Sequence, residues 1–91
     1  MNNMNARLTE AFRRFMIIYR MSIQDRPGCP PTRDELGPAG IDKKSLQKLT
    51  SMGILKDDYM PIQVLSSESI RTKPVYRVTS LGWEAAKALK F

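Results

Sequence analysis

The chain has no histidine and one cysteine, Cys29. That removes much of the chemistry a small protein can use. No Cys/His zinc site can be assembled from it, and neither a Ser-His-Asp nor a Cys-His nucleophilic arrangement is available. Glycines are few and stand apart (Gly28, Gly37, Gly40, Gly53, Gly82), so there is no glycine-rich loop to cradle phosphates. Long apolar runs are missing as well. The most apolar stretch, Phe15 to Tyr19, is bounded by Arg14 and Arg20 and is too short for a signal-peptide core or a membrane span. The adjacent acids Asp57 and Asp58 have no further ligands beside them and read as a solvated turn, not a metal site. These absences predict a cytoplasmic, non-enzymatic binding module with a reduced Cys29. It is expected to have no metal, no cofactor, no small-molecule substrate and no membrane partner.

Acid is also in the minority. Nine Asp and Glu face 15 Lys and Arg among 91 residues, a net charge of +6 that points to an anionic partner. The length suits one domain, because two pieces would each be too short to bury a stable core. With 42% hydrophobic and 26% charged residues the balance is that of a folded chain, not a disordered one. The excess is greatest in residues 1–26, where five arginines oppose Glu10 and Asp25.

From about residue 5 to residue 24, Leu8, Ala11, Phe12, Phe15, Met16, Tyr19 and Ile23 recur at three- and four-residue steps, the stripe of a long helix. Ile17 and Met21 fall on its back, where they are either scattered surface residues or a seam for a second copy of the chain. Pro27, Pro30 and Pro31 stop the helix and make the connection after it stiff and extended. Thr32-Arg33-Asp34-Glu35 has the form of a capping box opening a short second helix, which Gly37-Pro38 ends. Asp42 is a suitable N-cap for a third helix, Lys43 to about Met52, closed by Gly53. Leu46 and Leu49 form its inner face. The outer face carries Lys44, Gln47, Lys48 and Ser51, all donors or cations, with no acid.

Beyond Lys56 the periodicity changes. Tyr59–Leu65 and Val75–Thr79 read as two strands of a hairpin joined by a polar connection, Ser66–Pro74, that carries Arg71 and Lys73. Thr79 then caps a last helix whose apolar face is read as Leu81, Ala85, Ala88 and Leu89, with Trp83 beside it. Tyr59, Tyr76 and Trp83 read as core or rim packing rather than base-stacking platforms.

The order helix, short helix, turn, helix, hairpin, helix resembles a winged helix-turn-helix DNA-binding domain. Pro30-Pro31-Thr32-Arg33-Asp34-Glu35-Leu36, followed by Leu46-Gln47-Lys48-Leu49-Thr50-Ser51-Met52-Gly53-Ile54-Leu55, is similar to the helix-turn-helix of LexA-type repressors. Tyr76-Arg77-Val78-Thr79-Ser80-Leu81-Gly82-Trp83-Glu84-Ala85 resembles the strand-to-helix junction of MarR-like regulators. The segment between Leu36 and Asp42 is shorter than in LexA-type domains, and the first helix is longer than the fold needs. The resemblance implies an α+β fold with a three-helix core, a two-strand wing and a C-terminal helix. Residues 1–91 would form a single domain, with the helix-turn-helix at about 32–53, the wing at about 59–79 and the last helix at about 80–90.

The resemblance also implies a function. The third helix would enter a major groove and present Lys43, Lys44, Gln47, Lys48 and Ser51 to base edges and phosphates. Thr32 and Arg33 would meet a phosphate, and Arg71 and Lys73 on the wing would grip a flanking groove. The expectation is a small sequence-specific double-stranded DNA-binding protein, a transcriptional regulator or repressor acting by steric occupancy. One module makes few base contacts, which favours a homodimer joined through Ile17 and Met21. The alternative is a winged-helix adaptor that binds proteins and not DNA.

Overall fold

Asn5 opens the first helix, α1 (Ala6–Asp25), with its side chain accepting from the Leu8 N–H at 2.8 Å. The computed structural model describes residues 5–63 and 70–91, with the side chains of 61–63, 70 and 71 left aside. The apolar stripe of α1 is the floor of the core. Phe12, Phe15 and Met16 are fully buried, and Leu8, Ala11 and Tyr19 nearly so. Removing each large side chain from water contributes about 1.5–3 kcal/mol. Phe15 stacks on Tyr19, and Phe12 meets the Phe91 ring edge-on, each pair 5.7 Å apart. The helix ends where the Arg26 N–H turns back to the Ser22 carbonyl and Pro27 follows.

Four further elements stand on that floor in addition to α2 (Arg33–Leu36), a single turn: α3 (Lys43–Ser51), β1 (Leu55–Gln63), β2 (Ile70–Val78) and α4 (Ser80–Ala88). Leu36 and Ile41 plug the space between α2 and α3, both essentially inaccessible. The two strands form an antiparallel hairpin whose register runs from Leu55 opposite Val78 to Gln63 opposite Ile70. The molecule is thus a small α+β protein of four helices and one two-stranded hairpin among its described residues. None of its described helices is long and apolar enough to cross a membrane.

Three local expectations give way. The capping box does not form: the Thr32 side chain makes no capping hydrogen bond, and Glu35 reaches Arg26 at 3.5 Å instead. Thr32 is committed elsewhere. It forms a one-residue antiparallel bridge with Val75, next to the 3.4 Å bond from the Tyr76 N–H to the Pro31 carbonyl. Pairing with the hairpin leaves Thr32 buried and uses the local backbone as a third, minimal strand.

The hairpin starts earlier than residue 59, and its connection is shorter than Ser66–Pro74. Lys56, Asp57 and Asp58 belong to β1 and oppose Arg77, Tyr76 and Val75, while Arg71, Thr72, Lys73 and Pro74 belong to β2. Cross-strand pairing overrides the turn-like composition of both segments.

Finally, Leu81 is 49% exposed rather than in the core. The buried face of α4 is Gly82, Ala85 and Ala86, small residues that let the helix approach the chain at Ile54. A Cβ on Gly82 would collide with the Ile54 carbonyl and come within 2.8 Å of the Val78 side chain. The Thr79 cap does form, its hydroxyl accepting from the Gly82 N–H at 3.0 Å.

Candidate nucleic-acid interface

Asp42 starts α3 by accepting from the Ser45 N–H at 3.0 Å. Hydrogen bonds from Ser45, and then the Arg7 guanidinium at 2.8 Å, hold its carboxyl below the ordinary carboxylate value. Inside the helix, Leu46 and Leu49 are buried against the core. The chain then leaves through Gly53, whose φ of +80° lies in the left-handed region that glycine tolerates best.

This anchoring orients the rest. Lys43, Lys44, Gln47, Lys48 and Ser51 are all exposed, and α3 itself contains no acidic residue. No lysine is ion-paired among the described residues. Ser51 donates its hydroxyl hydrogen to the Lys48 carbonyl at 2.8 Å and so turns acceptor lone pairs outward. The outer face expected from helical spacing coincides with these exposed positions.

A groove lies on each flank of the helix. One, of about 420 Å³, runs between α3 and the base of the hairpin, and Arg33, Lys43, Gln47, Ser51, Asp57 and Tyr76 are among its walls. The Arg33 guanidinium sits over the Tyr76 ring, 5.6 Å from its centre, and 3.9 Å from the Asp57 carboxylate. The other, of about 240 Å³, lies between α3 and the start of α1, with Arg7, Lys44 and Lys48 among its walls. Arg7 was not among the expected contacts. Its place on α1 gave it no link to α3 until the crossing of the two helices brought it there.

No family model, no curated protein and no solved structure matches this chain.

The remaining expected residues are placed differently. Thr32 is buried, and α2 is a single turn, so the phosphate site expected at its first N–H groups has no helix end to support it. Lys73 is exposed but lies within β2 opposite Met60, not at a loop tip. Arg71 lies opposite Ile62 by its backbone, and its side chain is outside the described ones. Asp58, expected in a turn, accepts from the Tyr59 N–H at 2.8 Å and from Arg77 at 2.5 Å, contacts that hold it below the ordinary carboxylate value. Among the described residues no three potential ligands gather for a metal ion. Ile17 and Met21 are exposed on the back of α1, at 46% and 59%. Tyr76 is buried as expected, whereas Tyr59 is 65% exposed. Trp83, at 40%, stands at the rim with Tyr19 edge-on and the Arg20 guanidinium over its ring.

Proposed function

We propose that this chain is a winged helix-turn-helix protein that binds double-stranded DNA by laying the outer face of α3 in a major groove. The observation that carries the reading is a helix anchored on one side by Leu46 and Leu49, with Lys43, Lys44, Gln47, Lys48 and Ser51 exposed on the other and no acid of its own. The lysines, without an ion-pair partner among the described residues, bring phosphates and guanine O6 and N7 within their chemistry, and Gln47 suits adenine N6 and N7. Binding then acts by occupancy, as a regulator that blocks a site. A homodimer joined through the Ile17 and Met21 side of α1 would double the few base contacts that one helix makes.

Fluorescence anisotropy with a labelled random-sequence duplex, over a series of salt concentrations, tests this. The expected result is affinity falling steeply with salt and exceeding that for the corresponding single strand. Lys44→Ala and Lys48→Ala are each expected to flatten the slope by about one unit. If both variants bind duplex like the parent, α3 is not the contact surface and the protein-adaptor reading takes its place. Sedimentation at high concentration tests the dimer, which a monomer at all concentrations would refute.

A further inference from the structure

We infer that the two grooves flanking α3 each receive one sugar-phosphate strand of the duplex, with Arg7 gripping one strand and Arg33 the other. This rests on the DNA-binding reading and extends it to the strands beside the helix. An α-helix with its side chains is about 10–12 Å across, and the major groove of B-form DNA is about 12 Å wide. A helix that enters therefore fills the groove and has a phosphate strand on either side.

On α3, at about 100° per residue, Lys44 and Lys48 fall on one flank of the exposed face, and Lys43, Gln47 and Ser51 on the other. These are the residues that line the two separate grooves. Each groove has an outer wall built by another element, and each outer wall supplies one arginine: Arg7 from α1 and Arg33 from α2. The planar guanidinium matches a phosphate with two parallel hydrogen bonds, which a lysine ammonium cannot do.

Each arginine is held by one carboxylate, Arg7 by Asp42 at 2.8 Å and Arg33 by Asp57 at 3.9 Å. Both pairs are exposed, with Arg7 81% accessible at its side chain. Pairs this open contribute little to stability, so exchanging the carboxylate for a phosphate oxygen costs the fold little. The acids also keep the walls from being purely cationic before DNA arrives. The Tyr76 ring lies 5.6 Å from the Arg33 guanidinium carbon in the same groove, within reach of a cation–π contact.

The test is the salt dependence of binding to a random-sequence duplex for Arg7→Ala, Arg33→Ala and the double variant, with Lys48→Ala and Arg13→Ala beside them. Circular dichroism and melting verify the fold of each. Phosphate contacts at two independent places predict a loss of about one unit of slope for each single variant and about two for the double. One unit corresponds to about a fourfold change in relative affinity between 0.05 and 0.2 M salt. Arg13→Ala, which removes an arginine held by Glu10 on α1, keeps the parent slope. If Arg7→Ala or Arg33→Ala keeps the parent slope while Lys48→Ala lowers it, α3 binds DNA but the strands do not lie in these grooves, and the inference is overturned. If Lys48→Ala also keeps it, or the parent does not bind, the DNA reading itself has failed and the two-strand arrangement falls with it.

Discussion

The helices α1 and α3 are both basic, yet they handle charge in opposite ways. Arg13 and Arg14 on α1 share Glu10, Arg7 meets Asp42, and Arg20 donates to the Phe91 carbonyl at 2.7 Å. Every arginine side chain that is described engages an acceptor, including Arg26 with Glu35, Arg33 with Asp57 and Arg77 with Asp58. The lysines of α3 engage none among the described residues. A net charge of +6 therefore says less about a partner than its distribution does. On α1 the bases are paired within the molecule, Arg7 in the most open of these contacts, and on α3 they are unpaired among the described residues.

The sharpest way to probe that contrast is to remove one residue from the inner face of α1 and two from the outer face of α3. Phe15→Ala, at a fully buried position, is expected to cost about 3–5 kcal/mol, a large share of a small domain's stability, read by chemical denaturation. The double variant Lys44→Ala with Lys48→Ala is expected to leave stability within about 0.5 kcal/mol. Its affinity for duplex at low salt is expected to fall on the order of tenfold. A large loss of stability in that variant would mean the lysines do structural work and would erase the distinction between the helices.

Much of this contrast was legible in the sequence, because it follows from helical spacing alone. The stripe Leu8, Phe12, Phe15 and Tyr19 and the outer set Lys44, Gln47, Lys48 and Ser51 both emerge from a period of about 3.6, and the Asp42 and Thr79 caps from local chemistry. What failed depended on partners distant in sequence. Thr32 looked like a cap until Val75 claimed it. Asp57 and Asp58 looked like a turn until Tyr76 and Val75 paired with them. Leu81 looked like core because it is the larger apolar residue, but close approach to the chain at Ile54 selects the smallest, Gly82. Arg7 could not be tied to Lys44 and Lys48 without knowing where α1 crosses α3.

Removing Arg13 or Arg14 is expected to have a smaller effect. Both side chains are about half exposed and share Glu10, so either can keep the carboxylate paired when the other is lost. Arg13→Ala or Arg14→Ala should leave the melting temperature nearly unchanged and the affinity for duplex at the parent value. A fall in affinity comparable with that of Lys48→Ala would show that the Arg13–Glu10–Arg14 cluster lies within the contact surface.

The mildest probe changes no residue. Glu10 lies below its ordinary value of 4.5, chiefly through hydrogen bonding from Arg13 with Arg14 adding to it. Asp42 and Asp58 lie below 3.8, chiefly through Ser45 and the Tyr59 N–H respectively, with Arg7 and Arg77 contributing. A carboxylate whose value is depressed by folding contributes stability above its unfolded value and loses that contribution as pH falls through its folded one. Melting temperature should therefore hold steady down to about pH 5 and decline below about pH 4 as these three groups protonate. All three are partly exposed to solvent, so the decline is shallow. Asp42→Asn should flatten part of it, because the amide oxygen can still accept from Ser45 but no longer titrates. Between about pH 5 and pH 8, affinity for duplex should stay constant while acidification further down loosens the ion pairs of α1. A titration of binding within that upper window, measured by anisotropy, would refute this, because none of these three carboxylates changes charge there.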